Sequence, residues 1–281
     1  MKRIFLICLT FAFGLGILEI LGRNGAWNTE LFPLPSEILS FLGRTLTDGH
    51  AHAGKATGEK NPSPILYAVE SVTDSTLLAA ITVTLKRLAF GYFIGFALGI
   101  PLGLITARFR FMRETLGLVA LGMQGLPSVC WVPLALIWFG ASESAILFVV
   151  VMGTLWSLML ATEHGVRTVP PLYSRAARTM GSKGLHLWTR VLIPASLPSV
   201  ISGMKQGWAF AWRSLMAAEI YVTILSGYGL GWLLHNGRET LDMAQVIGVM
   251  LVIVAIGLLA DRIIFAPAEN WLRARWGLDK A

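Results

Sequence analysis

A cation inside an apolar run is the first feature of this sequence that could do chemistry. Arg213 stands within the segment 197–224, beside Trp212 and Trp208 and two turns after Lys205 and Gln206. An Arg at the centre of a membrane helix costs about 2.5–3.5 kcal/mol on insertion scales. Such a residue therefore faces the interior of a helix bundle or a wet cavity. Two readings stay open. Arg213, with Trp212 and Trp208, lines the path of an anionic solute, or Arg213 pairs with Glu219 or reaches toward a helix end.

No other constellation forms a reaction centre. The chain carries no Gly-x-x-x-x-Gly-Lys-Ser/Thr run whose backbone would cradle phosphates, so it is not expected to bind ATP. Gly181-Ser182-Lys183-Gly184 is too short for that purpose and follows no strand. His50 and His52 sit in a loose polar stretch and are too few to hold a metal. Cys8 and Cys130, the only cysteines, lie in apolar runs and read as small hydrophobes. Asp261 and Arg262 read as an interfacial anchor. No cofactor, metal site or catalytic residue is expected, and the chain reads as no enzyme.

Two stretches carry mechanism of another kind. Gly91, Gly95, Gly99 and Gly103 recur every fourth residue, a stripe that lets a second backbone approach closely. Pro101 inside it is expected to bend the helix or loosen its bonding. The stripe serves either fixed packing or a face that shifts. The second stretch runs from Tyr173 to Pro194. Ser174 is expected to cap a short helix with two alanines, and Gly181 to take its left-handed exit. His186, Leu187 and Trp188 open a second helical piece, which Pro194 and Pro198 are expected to break. A shaped basic loop of this length is built to be gripped by a partner.

The elements that must position these residues follow from composition. Hydrophobic residues make up 55% of 281 positions against 14% charged, with a mean hydropathy of +0.65. A soluble domain carries about a quarter charged residues, so this chain belongs in lipid. The predicted fold is all-α, a polytopic bundle of about six transmembrane helices. Residues 1–21 read as an uncleaved first span and 22–76 as a polar excursion, with short helices expected at 34–45 and 63–71. Five further apolar segments lie at 77–107, 116–139, 145–161, 197–224 and 244–265. The first of these is too long for one span, and Lys86 and Arg87 are expected to lie along the membrane interface. Residues 77–265 form the core, with a loop over 163–198 and a tail over 266–281.

Basic residues crowd the 107–114 and 163–206 loops, while 22–76 holds four basic and six acidic groups. By the positive-inside rule both termini and the 163–198 loop are cytoplasmic and 22–76 is periplasmic. The net charge of +7 is explained by this topology, which leaves no case for nucleic-acid binding.

The 173–194 loop resembles the coupling loop of binding-protein-dependent permeases, whose pattern is Glu-Ala-Ala, three residues, Gly, nine residues, Ile-x-Leu-Pro. Ala176, Ala177, Gly181, Val191, Ile193 and Pro194 fall on it, and Arg175 stands where the family has Glu. The run Leu126 to Leu134 with Trp138-Phe139-Gly140, and Ala218-Glu219 followed by Gly227-Tyr228-Gly229-Leu230-Gly231, are similar to the nitrate, sulfonate, taurine and bicarbonate importers. The resemblance implies an ATP-binding-cassette importer permease of type I architecture in the bacterial inner membrane. It implies a permease homodimer in lipid, two ATP-binding subunits gripping the loop, and a periplasmic solute-binding protein. An ion-gradient-driven transporter is the alternative. It would show inverted repeats and acids inside the spans, and Glu19 is the only carboxylate well inside an apolar run.

Overall fold

The computed structural model describes residues 2–29, 31–47, 76–222 and 228–276, with the backbone alone for 2–12, 46, 47, 76, 273 and 276. The expected helix at 63–71, His50, His52, Gly227 and the Cys8 side chain lie outside what is described. Among the described residues every regular element is helical.

α1 is Lys2–Arg23 and α2 Pro35–Thr47. α3 runs Thr76–Arg108, α4 Arg110–Gly125 and α5 Ser128–Phe139. α6 is Glu143–Arg167, α7 Pro171–Thr179 and α8 Gly184–Leu187. α9 spans Ile193–Tyr221, α10 Leu230–Glu239, α11 Met243–Ala260 and α12 Ala266–Trp276. Turns of wider π type occupy Arg113–Gly117, Trp188–Leu192 and Asp261–Phe265.

Three helical stretches are long and apolar enough to cross a membrane: Leu77–Arg108, Glu143–Arg167 and Met243–Leu272. α4 and α5 add a fourth if the pair counts as one span, although they meet at 99°. Among the described residues, length and apolarity thus identify three spans, or four with that pair. α9, at 29 residues, is long enough to cross but carries Lys205, Arg213 and Glu219. The expected single span at 116–139 is instead broken. Pro127 lacks an N–H and biases Leu126 away from helical geometry, and Leu126 is extended with ψ 124.

The described chain divides into two compact units. One comprises Met1–Thr84 and Ile224–Ala255. There Glu19 of α1 accepts hydrogen bonds from the Ser36 amide (3.1 Å) and hydroxyl (2.8 Å) and from Arg23, joining α1 to the start of α2. Phe41 of α2 lies against Gly248 of α11. Thr84 Oγ1 accepts from the Leu230 amide at 2.8 Å, which satisfies a free donor at the start of α10.

The second unit, Leu85–Thr223 with Ile256–Ala281, is organised around α6. Over half of the apolar stretch of α6 is buried, 56% against 28% for α3, so α6 is the centre. A Cβ on Gly91 would come within 2.7 Å of Val150, on Gly95 within 2.6 Å of Thr154, on Gly99 within 2.8 Å of the Leu155 carbonyl, and on Gly103 within 2.5 Å of the Met159 carbonyl. The stripe is therefore the seam of α3 on α6. α9 closes on the other side of α6, with Gly203 against Ala161 and Gly207 against Leu158. α3 continues unbroken through Pro101 for 33 residues.

Leucine at Gly95 or Gly203 is expected to cost roughly 1–3 kcal/mol by overpacking and to lower the thermal unfolding midpoint in detergent. Gly122→Ala, with no neighbouring atom within 4 Å and a helical backbone that favours Ala, should not lower the midpoint. Equal midpoints for all three variants would show that the close seams carry no stability.

Candidate functional site

The loop between α6 and α9 has a defined shape. Pro171 occupies the first helical position of α7, where its missing N–H costs nothing and its fixed φ suits the helix. α7 thus begins before Ser174. The Ser174 hydroxyl donates to the Pro171 carbonyl at 2.9 Å from inside the helix, so the expected cap at Ser174 is not formed. The exit is as expected. Gly181 has φ +86, its amide donates to the Arg178 carbonyl at 3.0 Å, and the Ser182 amide donates to the Ala177 carbonyl at 2.9 Å. These two bonds form a Schellman ending, which only a left-handed residue completes without strain.

α8 and the π turn at Trp188–Leu192 pack against α7. Ala177 is 3% exposed and Leu187 5%, whereas Arg175, Ala176 and Gly181 are exposed, together with Leu172, Tyr173, Met180 and Leu185. The result is an apolar outer face with basic residues around it. Val191, Ile193 and Pro194 lie behind that face, half-buried. Arg108, the last residue of α3, stacks over the Trp188 ring at 5.7 Å.

The expected break at Pro194 and Pro198 does not occur, and helix continues from Gly184 to Tyr221. The π turn accounts for Pro194. The Ile193 amide bonds back to the Trp188 carbonyl, so Pro194 falls where the wide register changes to α and the lost donor is cheapest. Pro198 stays within α9 as prolines do in membrane helices.

Further along the same rod, a cavity of about 360 Å³ opens between the α4–α5 break, α6 and α9. Its wall includes Gln124, Ser128, Trp131, Met152, Phe210 and Arg213. The Ser214 hydroxyl donates to Ser128 Oγ at 2.7 Å and pins the break to α9. Gly153 of α6 faces Ser214 directly, so a larger residue there would displace that bond. Arg213 does not pair with Glu219. Its Nε donates to the Ala209 carbonyl at 3.1 Å, its guanidinium lies 4.6 Å from the Phe210 ring centre, and the residue lines the cavity.

Trp208 and Trp212 do not join Arg213 in lining this cavity. Trp208 stacks edge-on against Tyr92 and Phe265, and Trp212 is half-buried elsewhere on α9. Cys130 is exposed, at the tight turn that opens α5. Asp261 pairs with Lys205 of α9.

The sequence reading missed a buried ionic cluster. Arg87 is 6% exposed, buried among the helices. Its Nε and Nη2 donate to the two carboxylate oxygens of Glu143, the former at 2.8 Å, and its Nη1 donates to Glu219 at 3.0 Å. A guanidinium inside an apolar run demands such partners, and Glu219, also inside one, was the available signal. Glu19 is therefore not the only carboxylate set among apolar residues.

The fold and this arrangement define a membrane-embedded helical transport subunit with a structured loop for a partner. The chain belongs to the family of binding-protein-dependent transport system inner membrane components, whose pattern matches residues 99–266. It is 33% identical to an ABC transporter permease protein of Methanocaldococcus jannaschii, over 72% of this chain and 73% of that protein. It is 27% identical to the nitrate import permease protein NrtB of Leptolyngbya laminosa, over 69% of this chain and 68% of that one. Among solved structures, the inward-facing MetNI methionine ABC transporter shares the fold at TM-score 0.55 and 16% identity, covering 73% of this chain and 99% of that chain. The chain is thus an ABC importer permease of the inner membrane and a transport subunit, working with a separate ATP-hydrolysing subunit and a solute-binding protein. Membership of this family sets aside the gradient-driven alternative.

Ala176 and Ala177 are consecutive, about 100° apart around α7, and only Ala177 is buried. Ala177→Leu should destabilise the loop by roughly 1–3 kcal/mol, as overpacking does, and speed proteolysis between residues 167 and 193. Ala176→Leu should leave that cleavage rate unchanged. Equal cleavage of both variants would contradict the placement of Ala177 in the loop's small core.

Proposed function

We propose that this chain forms the translocation path for a small oxyanion or sulfonate, and that α7 is its docking helix for the ATP-binding subunit. The observation that carries the proposal is the unbroken helix from Gly184 to Tyr221, which starts at the shaped loop and passes the cavity at Arg213. A push on the loop has a covalent, helical route to the cavity wall. Arg175, Ala176 and Gly181 meet the ATP-binding subunit, while Ala177 from inside the loop and Val191, Ile193 and Pro194 behind it hold that surface in shape.

The assembly is a homodimer of this permease with two ATP-binding subunits and an external solute-binding protein. Both termini and the 163–198 loop lie on the cytoplasmic side, as the excess of Lys and Arg there supports. Residues 1–21 form the first span, 22–76 the external excursion, 77–265 the core and 266–281 the cytoplasmic tail. Arg213 supplies the positive charge for an anion, and its stacking on Phe210 leaves the guanidinium edge free to donate. The nitrate import relative supports an oxyanion as the solute. Binding of nitrate itself is not required by a cavity of this size, which also admits a sulfonate. The stripe of Gly91, Gly95, Gly99 and Gly103 serves chiefly as a packing seam.

The test is purification of the tagged permease from its native membrane. A near-stoichiometric ATP-hydrolysing chain should accompany the wild type and be lost with Ala176→Trp, while Ala176→Ser retains it. In vesicles of the assembled complex, Arg213→Gln should cut solute uptake by at least about tenfold (each factor of ten corresponds to about 1.4 kcal/mol) without loss of the partner. A permease that comes out alone under conditions preserving other membrane complexes would sink the docking role. Unchanged uptake in Arg213→Gln would remove Arg213 from the path.

A further inference from the structure

We propose that Arg87 is a positioning residue for coupling. Its double ion pair holds the far end of the rod that begins at the docking loop, so that movement of the loop is delivered to α3 instead of dissipating along α9. This rests on the role proposed above for the loop.

The rod from Gly184 to Tyr221 is roughly 55 Å long at about 1.5 Å per residue. Three of its side-chain ties lie in the half away from the loop and differ in kind. Just past mid-length, Lys205 pairs with Asp261; both side chains are 43% exposed, although the Asp261 Oδ1 that takes the contact is itself buried. Farther along, the tie is a single neutral bond between Ser214 and Ser128. At the far end, Glu219 is 0% exposed and Arg87 6%. Separating those two would leave a full charge without water, so they part last. The firmest of these ties thus sits at the end away from the loop, which is what a lever needs if its load is to be moved rather than slipped past.

The second arm of the cluster is built differently. Glu143 is 44% exposed and sits in the first turn of α6, just after Ser142, whose hydroxyl caps that helix. Its carboxylate is stabilised by the positive end of α6 as well as by Arg87. It can therefore release Arg87 at lower cost than Glu219 can. The fork of Arg87 reaches both acids at once because its five donors lie in one rigid plane. Arg87 consequently ties α3 firmly to α9 and exchangeably to α6. When the rod moves, α3 goes with it, and the Arg87–Glu143 contact opens or closes.

The experiment uses the complete complex in lipid vesicles with the loaded solute-binding protein, and reads the ratio of stimulated to basal ATP hydrolysis. Arg87→Lys keeps the charge but cannot grip both acids, and Glu143→Gln removes only the exposed arm. Both variants should retain the ATP-binding subunit and the basal rate, while stimulation falls by about tenfold, within the usual range of coupling between sites. The double variant Arg87→Glu with Glu219→Arg should recover part of the ratio lost in Arg87→Glu alone. Arg87→Lys and Glu143→Gln with wild-type ratios would overturn the proposal. So would loss that appears only as reduced amounts of assembled complex, since that is what a purely structural ion pair would give. If Arg87→Lys fails to assemble, Glu143→Gln decides, because its side chain is at the exposed edge. Failure of the wild-type permease to bind an ATP-hydrolysing chain would instead count against the docking reading and is seen in a separate measurement.

Discussion

Helices in lipid gain little by hiding apolar surface from one another, because the lipid tails are as apolar as leucine. They associate by approaching closely enough for backbones and small side chains to touch. The architecture of the larger unit follows from that constraint acting on α6. Gly91, Gly95, Gly99 and Gly103 bring α3 against one flank of α6, and Gly203 and Gly207 bring α9 against another. Gly153 and Gly165 on α6 itself make room for Ser214 and Ser199. Every functional feature of this unit is placed by these seams. The cavity lies where α9 and α6 meet the α4–α5 break, and the ion cluster lies where α3, α6 and α9 converge.

Such close contact leaves few places for polar groups; Ser157 and Thr162 of α6 bury hydroxyls without a hydrogen-bond partner, while others have specific ones. Tyr92 of α3 donates to the Met204 carbonyl of α9 at 2.9 Å, across the helix pair that the glycines bring near. Ser128 and Ser214 do the same for the broken helix pair. Arg87, Glu143 and Glu219 do so for charge. A single Arg and two acids drawn from positions 87, 143 and 219 are distant in sequence and adjacent in space only because the seams hold three helices together.

Local signals in the sequence were largely legible and non-local ones were not. The turn at Gly181 could be read because a left-handed exit and its glycine are a matter of a few residues. The four-residue spacing from Gly91 to Gly103 announced a seam, although not that α6 was its partner. Elsewhere a local rule was overruled. Pro194 and Pro198 argued for a break, and the π turn before them absorbed the first while the bundle tolerated the second. Lys86 and Arg87 suggested an interface because two adjacent cations in a long apolar segment look like an end. Arg87 is inside because acids from two other helices meet it there, and nothing near residue 87 reports that. The pairing of Arg213 with Glu219 was a sensible local guess, two turns apart, and lost to the same distant Arg. The role of the three candidates on α9 separated for a rotational reason. Trp208 and Trp212 do not share the face of Arg213 that looks on the cavity.

The wide turn at Trp188–Leu192 also fixes something about how this chain can vary. A π turn holds one residue more than an α turn would at the same place. Five residues of π turn wind through about the same angle as four of α helix, so deleting one residue there would restore the ordinary register with α9 still facing Ala161 and Leu158. A deletion outside the wide turn has no such slack. It would rotate α9 by about 100° relative to the loop, taking Ser214 from Ser128 and Glu219 from Arg87. The wide turn is therefore where the connection between loop and span can lose a residue without repacking α9.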